Sequence, residues 1–436
     1  MLTESKVFCM APWVHVHNMP TGDIQPCCIS AVGAPMGNLY EEEIEVIWNN
    51  DNYKMFRKNM LNEILSKKCD RCHQEEIWGN TNTSRKFYND LYGKKYEELV
   101  ENGTNEDGYM KEMRIYRWDF RFSNLCNLAC TPCSSKYSST WVDINQKMWP
   151  LNKEESKFKT SSINTEKFLN TIRSQVKYAD DVYLAGGEPL IQPEHYEILK
   201  TMSDAGKFED GTHFCYSTNL TSLRYKDINI LEYWARIKRL KILVSLDEVD
   251  ASRLHYARYP LKLNNILENL HQLNNTLRGD QQMWTITPTW SILNTHRMKD
   301  IMEFISNQNL LPKIFYNSAE WECDLHNILL MHPGYLSISC AIPEWKEVLH
   351  AKLNEFQEWY FDTMIPLKIP LVRNIAINTL SENIKRFHKA VDEPHINKND
   401  NVATEWFARL DNARDTNFAN TFPELDWHPG SLPKKS

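Results

Sequence analysis

The 436-residue chain carries a formal charge of −7, with 42% hydrophobic and 25% charged residues; these are the proportions of a globular protein, and the acidic balance argues against a polyanionic partner such as nucleic acid. No apolar run approaches the roughly 18 residues of a membrane span, and the first residues show no basic segment followed by an apolar one, so neither a membrane nor a secretory leader is expected. Eleven cysteines in such a chain point to metal or redox use in a reducing compartment, the cytoplasm, rather than to disulfides.

The length allows roughly three domain-sized units. The first eighty residues hold Cys9, Cys27, Cys28, Cys69 and Cys72. Gly22 suits a hairpin turn that brings two of these cysteines to one place. Four thiols, Cys9, Cys27, Cys69 and Cys72, can serve one metal centre. Cys28 can replace Cys27, because adjacent cysteines project differently and only one faces the same metal. An iron–sulfur cluster and a zinc ion are both open at this point, since spacing alone does not separate them. His15 and His17 stand on alternating positions of an expected strand and share one side; they read as ordinary strand residues rather than ligands. Gly103–Gly108 reads as a linker.

Strand-like runs follow at about 114–122, 180–185, 212–217, 240–246, 283–290 and 312–317. Helices are expected between them, at 165–178 with Asn164 as cap, and near 193–205, 227–236, 262–278 and 295–308. The polar stretch 148–163 reads as a loop. Alternation of strand and helix implies parallel strands with crossover helices, hence an α/β fold. The end of the chain reads as helices at Glu344–Met364, Lys368–Val391 and Val402–Arg414. On the last of these, Trp406, Arg409, Asp411 and Arg414 could shape a lid over a site, and a solvated helix face, the plainer reading, explains the charges as well.

The most informative segment closes the first strand of this alternation. Cys126, Cys130 and Cys133 follow the spacing Cys-x3-Cys-x2-Cys. Three thiolates on a compact loop can hold three corners of a cubane iron–sulfur cluster, and the missing fourth ligand leaves one iron open to a small molecule. Further candidates fall at the ends of the later strands, where ligand sites of parallel β/α architectures lie. Gly186 and Gly187 let a ligand approach the backbone closely, and Glu188 offers an acceptor for an ammonium group. Asn219, Ser245, Asp247, Arg258 and Asn294 come next, with turn chemistry as the plain alternative for each. Cys215 reads as a small buried hydrophobe, and Cys323 and Cys340 as simply buried.

The cysteine loop, followed by Gly186-Gly-Glu-Pro189 and Ser245-Leu-Asp247, resembles the radical S-adenosylmethionine (radical SAM) enzymes. The resemblance implies a partial (β/α)6 TIM-like barrel over 110–318. It implies a core 4Fe-4S cluster on Cys126, Cys130 and Cys133, whose open iron chelates SAM. Cleavage of SAM there gives a 5′-deoxyadenosyl radical that abstracts hydrogen from a substrate. By the same resemblance Gly186, Gly187, Glu188, Asn219, Ser245, Asp247, Arg258 and Asn294 line the SAM site. Pro132 stands where the family usually has an aromatic residue. The N-terminal segment, with Pro12-Trp13, Gly22, Pro26-Cys-Cys28, Gly37-Asn-Leu39, Ile47-Trp-Asn49 and Arg57, resembles the SPASM/twitch module. It implies a small cysteine-rich module over 1–100 with one auxiliary 4Fe-4S cluster on Cys9, Cys27, Cys69 and Cys72. This module usually follows the barrel; here it precedes it. Residues 319–436 form the helical C-terminal extension.

The expected activity is therefore that of a radical SAM oxidoreductase or maturase. A peptide is the substrate class expected from the module, and a flavodoxin- or ferredoxin-type protein the reductant. A small-molecule radical SAM dehydrogenase and a non-catalytic zinc or iron–sulfur binding protein are the alternatives. The strand-end residues count against the last, because an electron carrier needs none of them.

Overall fold

The computed structural model describes residues 4–30, 35–77, 83–150, 165–277, 281–310, 328–368, 370–394 and 400–431. It divides the chain into two units, Met1–Asn124 with Lys159–Cys215, and Leu125–Phe158 with Tyr216–Ser436.

In the first unit, alternation along Arg117-Trp-Asp-Phe120 sorts side chains onto two faces. Trp118 and Phe120 turn toward helix Thr165–Gln175, where both meet the Phe168 ring edge-on at 6.3 and 6.1 Å. Arg117 and Asp119 take the opposite face. Their strand, Arg117–Phe120, runs parallel to Asp181–Leu184 on one side and to His15–Asn18 on the other. The N-terminal cysteine segment thus contributes a strand to the parallel sheet. Asp23–Gln25 and Gly37–Asn38 continue it antiparallel, and Gly22 makes the first turn with φ +80°.

Helix Asp51–Leu61 is capped by Asn50, whose side chain accepts from the Tyr53 amide at 3.0 Å. From this helix Arg57 is fully buried. It donates to the carbonyls of Pro12 and Trp48 at 3.0 and 2.8 Å, and its guanidinium lies 4.8 Å from the Trp48 ring. One side chain therefore ties three segments of the cysteine module together. Burial pushes its pKa down to about 9. The linker expected at Gly103–Gly108 is instead a packed turn. Thr104 bridges Met110, and Gly108 lies so close to Lys54 that an added Cβ would stand 2.0 Å from its carbonyl oxygen.

In the second unit, Arg239–Val244 runs parallel to Gln282–Ile286. Leu240, Ile242, Val244, Trp284 and Ile286 from this pair are buried. Helix Met298–Asn307 buries Met298, Ile301, Met302 and Ile305, the one-sided spacing of an amphipathic helix. The strand expected over 283–290 is broken in two, Gln282–Ile286 and Thr289–Trp290, at Pro288, which has no amide to give to a ladder. Helix 227–236 begins only at Ile230, capped by the Asn229 side chain, because residues 224–229 form a short hairpin. Helices Pro343–Trp359, Pro370–Asp392 and Asp400–Arg414 follow. Parallel strands alternating with helices make the chain α/β. The strand expected at 312–317, Asn164, Cys323 and most of the loop at 148–163 lie outside the described residues.

Candidate functional site

The cysteine loop belongs to the second unit, and its backbone is held from three directions. Ala129–Cys130 pairs antiparallel with Arg258–Tyr259, and the Thr131 amide donates to the Ala257 carbonyl at 2.7 Å. Helix Ser139–Met148 starts beside the loop, capped by Ser138. Its first turn turns back on the cysteines: Thr140 donates to the Cys126 carbonyl at 2.7 Å, the Cys126 amide donates to the Ser139 hydroxyl at 3.1 Å, and the Trp141 indole donates to the Cys130 carbonyl at 2.9 Å. The third hold comes from Arg414. It donates to the carbonyls of Ala129 and Tyr256 at 2.5 and 3.3 Å and to the Thr131 hydroxyl at 3.1 Å. The expectation of a solvated face for Arg414 is thereby corrected: it is 3% exposed and stacks 4.6 Å from the Trp141 ring. Burial brings it down to about 10. Sequence reasoning could not assign this role, because Arg414 lies 283 positions from Thr131. Its neighbour Arg409 also turns inward, donating to the Met148 carbonyl at 2.7 Å.

All three thiols are partly buried. Burial, then the Cys130 charge, pushes Cys133 up to about 12. Burial pushes Cys130 up too, with Arg258 pulling the other way. Two donors approach sulfur. The Arg258 guanidinium reaches Cys130 Sγ at 3.7 Å and the Asn219 amide reaches Cys126 Sγ at 3.9 Å.

Three of the five strand-end candidates of this unit, Asp247, Arg258 and Asn294, join one network. Arg258 donates to Asp247 Oδ1 at 2.9 Å. Desolvation opposes the Arg258 charge, and Asp247 more than offsets it, holding the pKa above the ordinary value. The Thr289 amide donates to the same carboxylate at 2.7 Å. Asn294 donates to the carbonyls of Asp247 and Thr289 at 2.9 and 3.2 Å. Asn219 holds the loop after its strand, accepting from Thr221 and donating to Asn127 at 3.0 Å. Ser245, half-buried, continues its strand by donating its amide to the Thr218 carbonyl at 2.8 Å. A small cavity is lined by Pro132, Asp247, Glu248, Arg253 and Asn294 among others.

Gly186, Gly187 and Glu188 lie in the first unit. Both glycines have positive φ, +76° and +52°, a region that other L-residues enter at a cost. An added Cβ at Gly186 would stand 2.5 Å from Arg121 Cβ. Glu188 is buried, and its carboxylate accepts from the Leu190 amide at 3.2 Å.

The cysteine module also lies in this unit. Burial raises the Cys9 thiol first, and the Cys69 and Cys72 charges raise it further. Cys27 is raised by burial, then by Cys28 and Cys9, with a smaller push from Cys72. These four thiols share one electrostatic neighbourhood. Cys28 answers to different groups: after desolvation, Asp119 raises it while Arg121 and Arg117 lower it. The backbone around Cys9 is gripped by Asn89, which accepts from the Met10 amide at 2.8 Å and donates to the Phe8 carbonyl at 3.0 Å. Arg85 joins this segment to helix Asp70–Ile77, donating to the Ser5 and Phe8 carbonyls at 2.7 and 3.1 Å and pairing with Glu76 at 2.5 Å. Cys215 is buried and Cys340 partly so. His15 and His17 are both buried.

Residues 120–305 match the radical SAM superfamily. Residues 9–73 match SPASM, an iron–sulfur cluster-binding domain. No curated protein matches the chain in sequence. Similar solved structures include Streptococcus suis SuiB, at 11% identity over 59% of this chain and 53% of that one, with a TM-score of 0.33. SuiB bound to precursor peptide SuiA matches at 12% identity over 62% and 57%, with a TM-score of 0.33. Native anSMEcpe with bound AdoMet matches at 10% identity over 58% and 62%, with a TM-score of 0.37. The chain thus spans a little over half to about three-fifths of the length of these proteins.

Proposed function

From the premise that the chain belongs to the radical SAM superfamily and carries a SPASM module, we propose that it is a radical SAM enzyme with one auxiliary cluster, acting on a peptide. Cys126, Cys130 and Cys133 would hold the core 4Fe-4S cluster. Cys9, Cys27, Cys69 and Cys72 would hold the auxiliary one. A bound cluster supplies one electron to SAM and, at its open iron, a seat for the amino and carboxylate groups of the methionine.

The donor set fits such a group. Burial disfavours bare thiolates at these cysteines, so a cation is needed to keep them deprotonated. N–H donors aimed at Cys126 and Cys130 sulfur are the contacts by which proteins tune iron–sulfur potentials.

The other residues have separable tasks. Asp247 holds Arg258 against Cys130, and Asn294 fixes the Asp247 backbone. In the second unit Asn219 and Ser245 would serve SAM beside the cysteine loop; in the first, Gly186 and Gly187 leave their backbone open to a ligand and Glu188 offers an acceptor for an ammonium group. Cys27, partly buried where Cys28 is exposed, would serve the auxiliary cluster. A cavity of 620 Å³ lined by His255, Tyr256, Lys262, Asn265 and Asp415 is our candidate seat for the peptide. Its Tyr256 presents to the cysteine loop the carbonyl that accepts from Thr131 and Arg414.

The observation that carries this reading is the loop of three cysteines with two side-chain donors on its sulfurs. Its test is anaerobic reconstitution with iron and sulfide, followed by SAM and dithionite. The expected product is 5′-deoxyadenosine, detected by chromatography. Purified protein that holds one zinc and no sulfide, and forms no 5′-deoxyadenosine, would overturn the proposal.

A further inference from the structure

His15, His17 and Asp119 meet on the face of the first unit's sheet opposite Trp118 and Phe120. The parallel register sets His15 against Arg117 and His17 against Asp119. All three side chains are at most 3% exposed. One ligand atom from each lies within 4.8 Å of the others, and among the described residues this is the group of three or more so arranged.

The hydrogen bonds determine which ring nitrogens carry protons. His15 Nδ1 lies 3.2 Å from the Arg117 carbonyl oxygen. A carbonyl only accepts, so Nδ1 holds the proton and Nε2 presents a lone pair. That Nε2 is buried and meets no hydrogen-bond partner. A buried polar atom left so is unfavourable. His17 Nδ1 lies 2.7 Å from Asp119 Oδ2. A carboxylate also only accepts, so His17 is oriented the same way. Its Nε2 lies 3.2 Å from Met19 Sδ, a thioether that only accepts, so Nε2 is the donor in that contact. His15 is thus held at Nδ1 by a backbone carbonyl with its Nε2 lone pair undonated. Metal-bound histidines are held in this way.

We propose that His15, His17 and Asp119 form a binding site for a divalent first-row transition cation. Two histidines and a carboxylate match the donor preferences of zinc and ferrous ions. Zinc bonds to nitrogen at about 2.1 Å; the ion would take the place of the proton between His17 Nδ1 and Asp119 Oδ2, with His15 Nε2 as the third ligand. Of the neighbouring cations, Arg117 pairs with Asp181 at 2.9 Å, while Arg121 holds Asp119 Oδ1 at 3.1 Å, so Asp119 would offer the ion its Oδ2. The ion would clamp strand His15–Asn18 of the cysteine module to strand Arg117–Phe120. It would be separate from the cluster cysteines and does not depend on the proposed activity.

Zinc is the probe. Anaerobically purified full-length protein, with its cluster iron and sulfide quantified, is dialysed against zinc, desalted and analysed for metals. One equivalent of zinc is expected beyond the cluster metal. In His15→Gln that equivalent is lost, with iron and sulfide unchanged, because the one hydrogen bond removed, from Nδ1 to the Arg117 carbonyl, involves no cysteine and the His17–Asp119 pair remains. Asp119→Asn weakens the site by more than about 100-fold. Cobalt(II) in place of zinc gives visible ligand-field absorption in the wild type and none in His15→Gln. Wild-type protein that desalts free of zinc and cobalt overturns the proposal, and so does zinc retained equally by both variants.

Discussion

The two cysteine regions are built in opposite ways. The loop at 126–133 delivers three cysteines from eight consecutive residues; the adjoining helix and Arg414 only hold it still. The N-terminal module draws its four from segments sixty residues apart. Two buried arginines, Arg57 and Arg85, keep those segments together. The first region is a local motif with a distant clamp. The second is a tertiary assembly whose cysteines are its last feature to be placed. Damage should therefore spread differently in the two.

The strongest test of that contrast is a pair of cysteine substitutions. Cys130→Ala should abolish 5′-deoxyadenosine formation, whereas Cys72→Ala should retain SAM cleavage and lose substrate turnover. Each should lose about half of the iron and sulfide. Loss of cleavage in Cys72→Ala with the core cluster still loaded would erase the proposed division of labour.

Next in size is the clamp. Arg414→Leu leaves the Ala129 and Tyr256 carbonyls and the Thr131 hydroxyl without this donor. The expected cost is about 3 kcal/mol, read as a lowered unfolding midpoint. A chelator should also strip core iron faster while auxiliary iron leaves at the wild-type rate. Equal acceleration at both would mean that the two regions are not independently held.

Gly186→Ala should cost about 2 kcal/mol, from the left-handed backbone and the contact with Arg121. If the glycine pair admits SAM, the variant should also bind SAM more weakly with both clusters intact. Equilibrium binding separates the two effects.

The smallest effect concerns Glu424, which anchors the segment after Arg414. It pairs with Arg253 at 2.6 Å and with His296 at 3.0 Å. Desolvation works against this carboxylate, but His296 and Arg253 hold it below the ordinary range. Its contribution is therefore present above the unfolded value of about 4.3 and is lost as pH falls through the lower folded value. Glu424→Gln should cost about 1 kcal/mol at neutral pH, and the gap from wild type should shrink on acidification. A gap that grew instead would reverse the assigned sign.

How much of this was legible follows the same division. The strand–helix alternation was readable because parallel strands and amphipathic helices have fixed periods. Helices 193–205 and 262–278 appear within two residues of those bounds. The strand over 283–290 was misread as continuous because apolar content outweighed the one residue, Pro288, that has no amide. The cysteine loop was readable because its ligands are neighbours in sequence. Arg414 was read as part of a solvated face because its own helix carries nothing that tells a buried cation from an exposed one. The histidine pair was read as ordinary strand residues for a related reason: the strand pattern showed that both face one side, but Asp119 comes to them only through the parallel register.

By itself, then, the amino-acid order determined the α/β class, the three-cysteine loop and the positions of polar residues at strand ends, because each depends on short spacings that the backbone imposes locally. Tertiary structure alone decided which distant residues hold those features: Arg414 on the loop, Arg57 and Arg85 in the module, Asp119 beside two histidines. Such partners are chosen by burial, which forces every enclosed charge and hydrogen-bonding group to find a counterpart wherever the fold brings one near, however far away it lies along the chain.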